Sequence, residues 1–153
     1  MSFPFNVRVY GILVTENDEV LVCDELIRGQ EVTKFPGGGL EFGEGTRDCL
    51  KREFMEEMNL SVAVEDHLYT TDFFVPSAWN PAHQVLSIYY RVRALEPISV
   101  RLNEKPFDFD EEQLGRFRQQ SETESFRLIP RSSLRREDLT LPIDQVVAAL
   151  LIG

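Results

Sequence analysis

Glu53, Glu56 and Glu57 are the residues whose type and spacing bear most directly on chemistry. On a helix advancing about 100° per residue they fall within one arc of about 100°, beside the apolar set Leu50, Phe54 and Met58, so three carboxylates converge. Like charges on one helical face repel by ~0.3 kcal/mol per pair unless a cation compensates. Acidic helix faces are also common as plain solvated surface, and the segment just upstream separates the two readings. There Pro36-Gly37-Gly38-Gly39 frees the backbone to bring carbonyl and amide groups to the same place. Donors that are all oxygen suit hard Mg²⁺ or Mn²⁺, whereas zinc prefers the Cys and His ligands that this cluster does not offer.

These carboxylates need a rigid helix, and residues 46–58 contain neither Gly nor Pro while repeating an apolar residue every fourth position. Thr46 is the expected N-cap, Asp48 suits the positive end of the helix dipole, and Asn59 can take the left-handed conformation that ends a helix. Residues 6–14 and 20–23 favour strands, and the polar run Glu16 to Glu19 between them predicts an opening hairpin. The glycine run is expected to interrupt any regular ladder. Further strands are expected over 69–75, 84–95 and 125–129, with a Trp79-bearing loop at 76–83 and a long, partly helical surface loop over 103–124. A short turn or helix over 131–138 and a closing helix over 142–152 complete the pattern. Strands with a few intervening helices imply a mixed sheet flanked by helices.

Gly38, Glu44 and the run Arg52-Glu53-Phe54-Met55-Glu56-Glu57-Met58-Asn59-Leu60 stand at the spacing G-x5-E-x7-R-E-U-x-E-E-x-G-U, where U is bulky and apolar. This stretch resembles the Nudix box. Its one departure among the fixed letters is Asn59 in place of Gly, a substitution that still tolerates positive φ. The resemblance implies an α/β class protein with a Nudix-like α/β/α sandwich and a mixed β-sheet, residues 1–153 forming a single Nudix hydrolase domain. It implies that Glu53, Glu56 and Glu57 hold Mg²⁺ or Mn²⁺ with the Gly38 carbonyl as a further ligand, and that Glu44 and Arg52 form an orienting ion pair. The implied reaction is hydrolysis of a nucleoside diphosphate linked to another moiety, water attacking phosphorus. Glu53 is the expected general base, and the family's additional late acid has four candidates here, Glu111, Glu112, Glu122 and Glu124.

For the substrate, Arg28 is a candidate phosphate contact because a guanidinium fork matches phosphate oxygens, and Trp79 is a candidate for stacking on a base. Phe73 and Phe74 stand near the same loop, at least one of them bound for the core. Pro76 resembles a mark of ADP-ribose pyrophosphatases. Twenty-six acidic against 16 basic side chains leave a formal charge of -10, which disfavours nucleic acid and anionic membrane as partners and leaves a small nucleoside diphosphate derivative. No apolar run approaches the ~20 residues that span a bilayer, no signal peptide is visible, and two distant cysteines suit a reducing cytoplasm. A homodimer is compatible with the family, but no surface declares itself as the interface. Two other readings stay open: a non-catalytic Nudix-fold domain that senses a nucleotide, and a partner-binding role for the acidic helix.

Overall fold

The computed structural model describes residues 4–152, so Met1 to Phe3 and Gly153 of the expected 1–153 domain lie outside the described residues. In chain order the elements are β1 (Phe5–Leu13), β2 (Glu19–Ile27), β3 (Gln30–Lys34), β4 (Gly37–Gly39), α1 (Thr46–Met58), β5 (Val62–Thr70), β6 (Gln84–Ala94), β7 (Leu102–Asn103), α2 (Glu111–Gln120), β8 (Glu122–Pro130) and α3 (Pro142–Ile152). Two short 3₁₀ turns, Arg131–Ser133 and Arg136–Asp138, precede α3 and occupy the stretch expected as a short turn or helix. The chain divides into two compact units. One runs through Leu13 and then Pro36–Ile98, and the other comprises Val14–Phe35 and the chain from Ser99 onward.

The first unit carries a sheet in the order β4-β1-β6-β5, in which β1 runs parallel to β6 and the other pairs are antiparallel. Its helix is α1, which buries the expected stripe of Leu50, Phe54 and Met58. Gly11 sets how closely α1 and the sheet approach: a Cβ there would lie 2.7 Å from both Phe54 Cε2 and Val92 Cγ2. Thr46 Oγ1 shares a 2.7 Å hydrogen bond with Tyr90 Oη, and the Arg47 guanidinium stacks 4.8 Å above the same ring. The first turn of α1 is thereby pinned to β6.

The second unit carries the order β3-β2-β8-β7, parallel only between β7 and β8. Arg28 and Gly29, both at positive φ, make the two-residue β2–β3 turn that strand twist favours. Helix α3 buries Ile143, Val147, Ala148 and Leu151 at helical spacing. Fully buried Asp24 on β2 accepts two hydrogen bonds from Arg127, 2.7 Å from Nε and 3.0 Å from Nη2, and a third of 2.7 Å from Thr33 Oγ1.

Several expectations are corrected. β1 and β2 do not form a hairpin: the tight turn is present, with Asp18 N donating to Thr15 O at 2.9 Å, but pairing stops at a single Val14–Val20 bridge. Both edges of β1 are already taken, by β4 and by β6. The glycines do continue a ladder, since Gly37, Gly38 and Gly39 register against Tyr10, Val9 and Arg8. Pairing needs only the backbone, which glycine has in full. The strand expected over 69–75 lies earlier, at Val62–Thr70, because exposed Glu65-Asp66-His67 and two register shifts at its centre break the alternation. The N-cap of α1 is Gly45, with Thr46 inside the first turn and its hydroxyl spent on Tyr90. The stretch 103–124 is not mainly loop: it contains α2, held by an Asp110–Gln113 capping box, and the start of β8, three residues before the expected 125.

Candidate active site

Arg52 is the hub of the carboxylate cluster in the first unit. Its Nη2 and Nε donate to Glu44 Oε1 and Oε2 at 2.7 and 3.0 Å, a two-pronged pair. Nη1 donates to Glu53 Oε1 at 3.0 Å and to Glu56 Oε2 at 3.2 Å. Nη2 also donates to the Gly39 carbonyl at 3.2 Å, and Glu41 lies 3.6 Å from Nη1. One guanidinium therefore joins β4, the loop after it and two successive turns of α1. The loop is closed on itself, because Glu41 N donates to Glu44 Oε1 at 2.9 Å and Gly43 takes a φ of 97°, the left-handed region that glycine supplies at no steric cost.

Gly38 lets the cluster reach the sheet. A Cβ on it would lie 2.6 Å from the Glu53 carboxyl carbon, so only glycine allows strand and carboxylate to meet. Glu57 follows on the same helix with Oε2 shielded from solvent. Asn59 ends α1 at φ 49°, the left-handed cap its sequence position requires, and its N–H returns to Met55 O.

The electrostatics follow from these contacts. The hydrogen bond from Arg52, aided by the Glu41 backbone, holds the Glu44 carboxyl down from the ordinary 4.5 to about 2. The same bond to Glu44 pushes the Arg52 guanidinium further up. Cys49, on the same turn of α1, is fully buried and directs Sγ at the Gly39 carbonyl, 3.6 Å away. Burial first, then the hydrogen bond with Glu44, push its thiol up to about 12.

The structure thus brings Gly38, Glu44, Arg52, Glu53 and Glu56 into contact, with Glu57 on the same helix. Trp79 belongs to the same unit, in the loop 76–83, half exposed, with its backbone N–H donating to Ser77 Oγ at 3.2 Å. The other candidates fall in the second unit. Arg28 is exposed at the β2–β3 turn, its N–H donating to Ser121 O at 2.8 Å. Glu111 and Glu112 open α2, and Glu111 pairs with Arg118 at 3.7 Å. Glu122 and Glu124 are strand residues on β8.

Around Glu124 the second unit holds a group that sequence reasoning did not assemble. Glu25 stands directly across the β2–β8 ladder from it, and Cys23 Sγ donates to Glu124 Oε2 at 3.4 Å. One ligand atom each from Cys23, Glu25 and Glu124 lies within 4.8 Å of the others, close enough for one ion, and Lys34 Nζ stands 3.9 Å from Glu25. Burial is the main cause raising the Glu124 carboxyl, with Lys34 opposing and Glu25 adding to it. The available signal was alternation, since Cys23 and Glu25 two apart on one strand share a face.

In the first unit the donor set is entirely oxygen, with glycine backbone and the Glu53 carboxyl at van der Waals approach, which fits a hard divalent cation and not a thiophilic one.

Comparison with known proteins agrees with this geometry. The family described as the NUDIX domain matches residues 4–150. Among solved structures, a NUDIX hydrolase from Nitrosomonas europaea is similar at a TM-score of 0.69 and 16% identity, over 99% of this chain and 72% of that one. The MutT protein from Methanosarcina mazei Go1 is similar at 0.67 and 14%, over 99% and 95%. An ADP-ribose pyrophosphatase from Streptococcus suis 89-1591 is similar at 0.59 and 16%, over 96% and 89%. At such identities the likeness is one of fold, and it carries the expected α/β class with the Nudix α/β/α sandwich and its mixed sheets. With nearly the whole chain inside the family match and its box built around Arg52, this protein belongs to the NUDIX domain family.

Proposed function

We propose that the chain, as one catalytic domain over residues 1–153, is a Mg²⁺- or Mn²⁺-dependent pyrophosphohydrolase that cleaves the diphosphate linkage of a nucleoside diphosphate joined to another moiety. The observation that carries this is the gathering of Glu44, Glu53 and Glu56 by Arg52 against the Gly38–Gly39 backbone. Glu53, Glu56 and Glu57 would hold the cation, with the Gly38 carbonyl as main-chain ligand. Once bound, a divalent cation offsets phosphate charge and lowers the pKa of water in its shell.

The side chains supply the rest. Arg52, fixed by Glu44, positions Glu53 and Glu56, so the carboxylates need little reorganisation. Water attacks one phosphorus and the bridging P–O bond breaks, the leaving phosphate departing as an anion. Glu53 takes the proton from that water on Oε2, because Oε1 already accepts from Arg52. The substrate class is supported by the fold likeness to an ADP-ribose pyrophosphatase, which points toward ADP-ribose-like and sugar-nucleotide substrates. The charge of -10 favours a small anion chaperoned by a cation over a polyanion. Two buried free cysteines support a reducing, cytoplasmic setting.

The test is a phosphate-release screen with Mg²⁺ across nucleoside triphosphates, ADP-ribose, sugar nucleotides and dinucleoside polyphosphates, beside the Glu57→Gln variant. Selective turnover that the variant lacks, with its melting unchanged, is the expected result. Silence across the panel with Mg²⁺ still bound would replace the hydrolytic reading with that of a nucleotide sensor.

A further inference from the structure

We propose that Arg8 is a substrate-binding residue that receives the phosphate of the diphosphate farther from Glu53, an assignment that rests on the pyrophosphohydrolase reading. Alternation along the first unit's sheet separates two faces. Val9, Gly11 and Gly38 face α1, and Arg8, Tyr10, Gly37 and Gly39 face the other way. β4 is the edge strand of that sheet, and Arg52 Nη2 donates to its Gly39 carbonyl, so a ligand lying past that guanidinium along the outer side of β4 meets both faces.

On the α1 side of β4, the Cβ position of Gly38 is 2.6 Å from the Glu53 carboxyl. On the opposite side, the Cβ position of Gly39 is 3.7 Å from Arg8 Nη1, and beyond Gly39 and its two chain neighbours no other described atom comes within 4 Å of that point. The missing side chain therefore leaves space beside a guanidinium, one residue along from the carboxylate cluster. Adjacent Cα atoms are about 3.8 Å apart, so guanidinium and carboxylate are separated by on the order of 10 Å around the strand. A diphosphate that accepts hydrogen bonds from the guanidinium at one end, and meets at the other the cation the carboxylates would hold, is of that length.

The guanidinium is also held in place, as phosphate recognition requires. Arg8 Nε donates to Tyr10 Oη at 2.5 Å, and its guanidinium carbon sits 5.6 Å from the Tyr10 ring centroid. Tyr10 packs on Tyr89 at 5.4 Å, and Tyr89 on Tyr69 at 6.3 Å, with Tyr69 Oη donating to Asp72 Oδ1 at 2.6 Å. Tyr10 and Tyr89 are buried, so this aromatic row is a rigid backing that lowers the entropy lost when the fork closes on phosphate. Arg28, the phosphate candidate from sequence, stands exposed at its turn, with no aromatic ring stacked on it among the described residues.

The experiment is calorimetric titration of inorganic pyrophosphate with Mg²⁺ into wild type, Arg8→Gln, Arg8→Lys and Tyr10→Phe, alongside kinetics on the best substrate of the screen. Arg8→Gln is expected to weaken pyrophosphate binding and raise KM by about 10- to 100-fold, with a smaller change in kcat. Arg8→Lys should recover part of the loss at unchanged melting temperature, and Tyr10→Phe should show a weaker version of it. Pyrophosphate binding by Arg8→Gln equal to wild type, or no binding by wild type, overturns the assignment. Normal wild-type turnover with an unaffected Arg8→Gln removes Arg8 and keeps the hydrolase reading. Binding lost in Arg8→Gln without turnover by wild type keeps Arg8 and removes the hydrolase reading.

Discussion

Gly38 and Glu53 meet at the contact between β4 and α1 so closely that a methyl group on the glycine would lie 2.6 Å from the Glu53 carboxyl carbon. The glycine thereby sets where the carboxylate stands, and Arg52 holds it there through Oε1. Gly38→Ala is expected to push Glu53 off this position. Mg²⁺ affinity, read by titration, should fall about 10- to 100-fold, with turnover falling alongside it. An Ala variant that binds Mg²⁺ as wild type does would show that the close approach is packing without consequence for the site.

The Glu44–Arg52 pair predicts an acid dependence of stability. With its carboxyl held near 2 against an ordinary 4.5, Glu44 contributes fully above pH 4.5 and loses its contribution as pH falls toward 2. The gap in urea midpoint between wild type and Glu44→Gln should be flat from pH 7 to about 5, then narrow steadily below 4.5. A gap that widens on acidification would contradict the assignment of the pair as the cause.

Cys49 is predicted to be inert in the folded protein. Its thiol is buried and pushed up to about 12, so the reactive thiolate is scarce at neutral pH. Iodoacetamide labelling at pH 8, followed by peptide mass spectrometry, should leave Cys49 unmodified until denaturant is added. Rapid native labelling at that residue would mean that the β4–α1 contact opens readily.

Asp24 and Arg127 offer a test in the second unit. Asp24 is fully buried and Arg127 nearly so, and the carboxylate is met by three donors. Asp24→Ala strands a buried guanidinium and should cost about 3–5 kcal/mol in chemical denaturation. Asp24→Ala with Arg127→Met should recover part of that loss. Equal losses in the single and double variants would assign the cost to packing alone.

How much could be read in advance depended on whether a signal was local. Helix α1 was legible because Leu50, Phe54 and Met58 repeat at the helical period and Asn59 stops them, and α3 because Pro142 stands at its first turn and Val146 to Ile152 run apolar behind it. Strand β5 was misplaced because Glu65, Asp66 and His67 interrupt alternation where the ladder itself shifts register. Thr46 looked like a cap by type, but Tyr90, 44 residues away, claims its hydroxyl. The Cys23–Glu25–Glu124 group was illegible because its members meet only when β2 pairs with β8.

By itself, then, the sequence determined the box spacing, the helix that carries Glu53, Glu56 and Glu57, and the glycines that leave room beside it. Each of these follows from periodicity or backbone freedom within a few residues. Only the tertiary structure decided that β1 gives its two edges to β4 and β6 and not to β2, and that Arg8 stands across the edge strand from Glu53. Strand pairing joins residues distant in sequence through backbone groups that are alike at every position, so partner choice emerges only when the whole sheet packs.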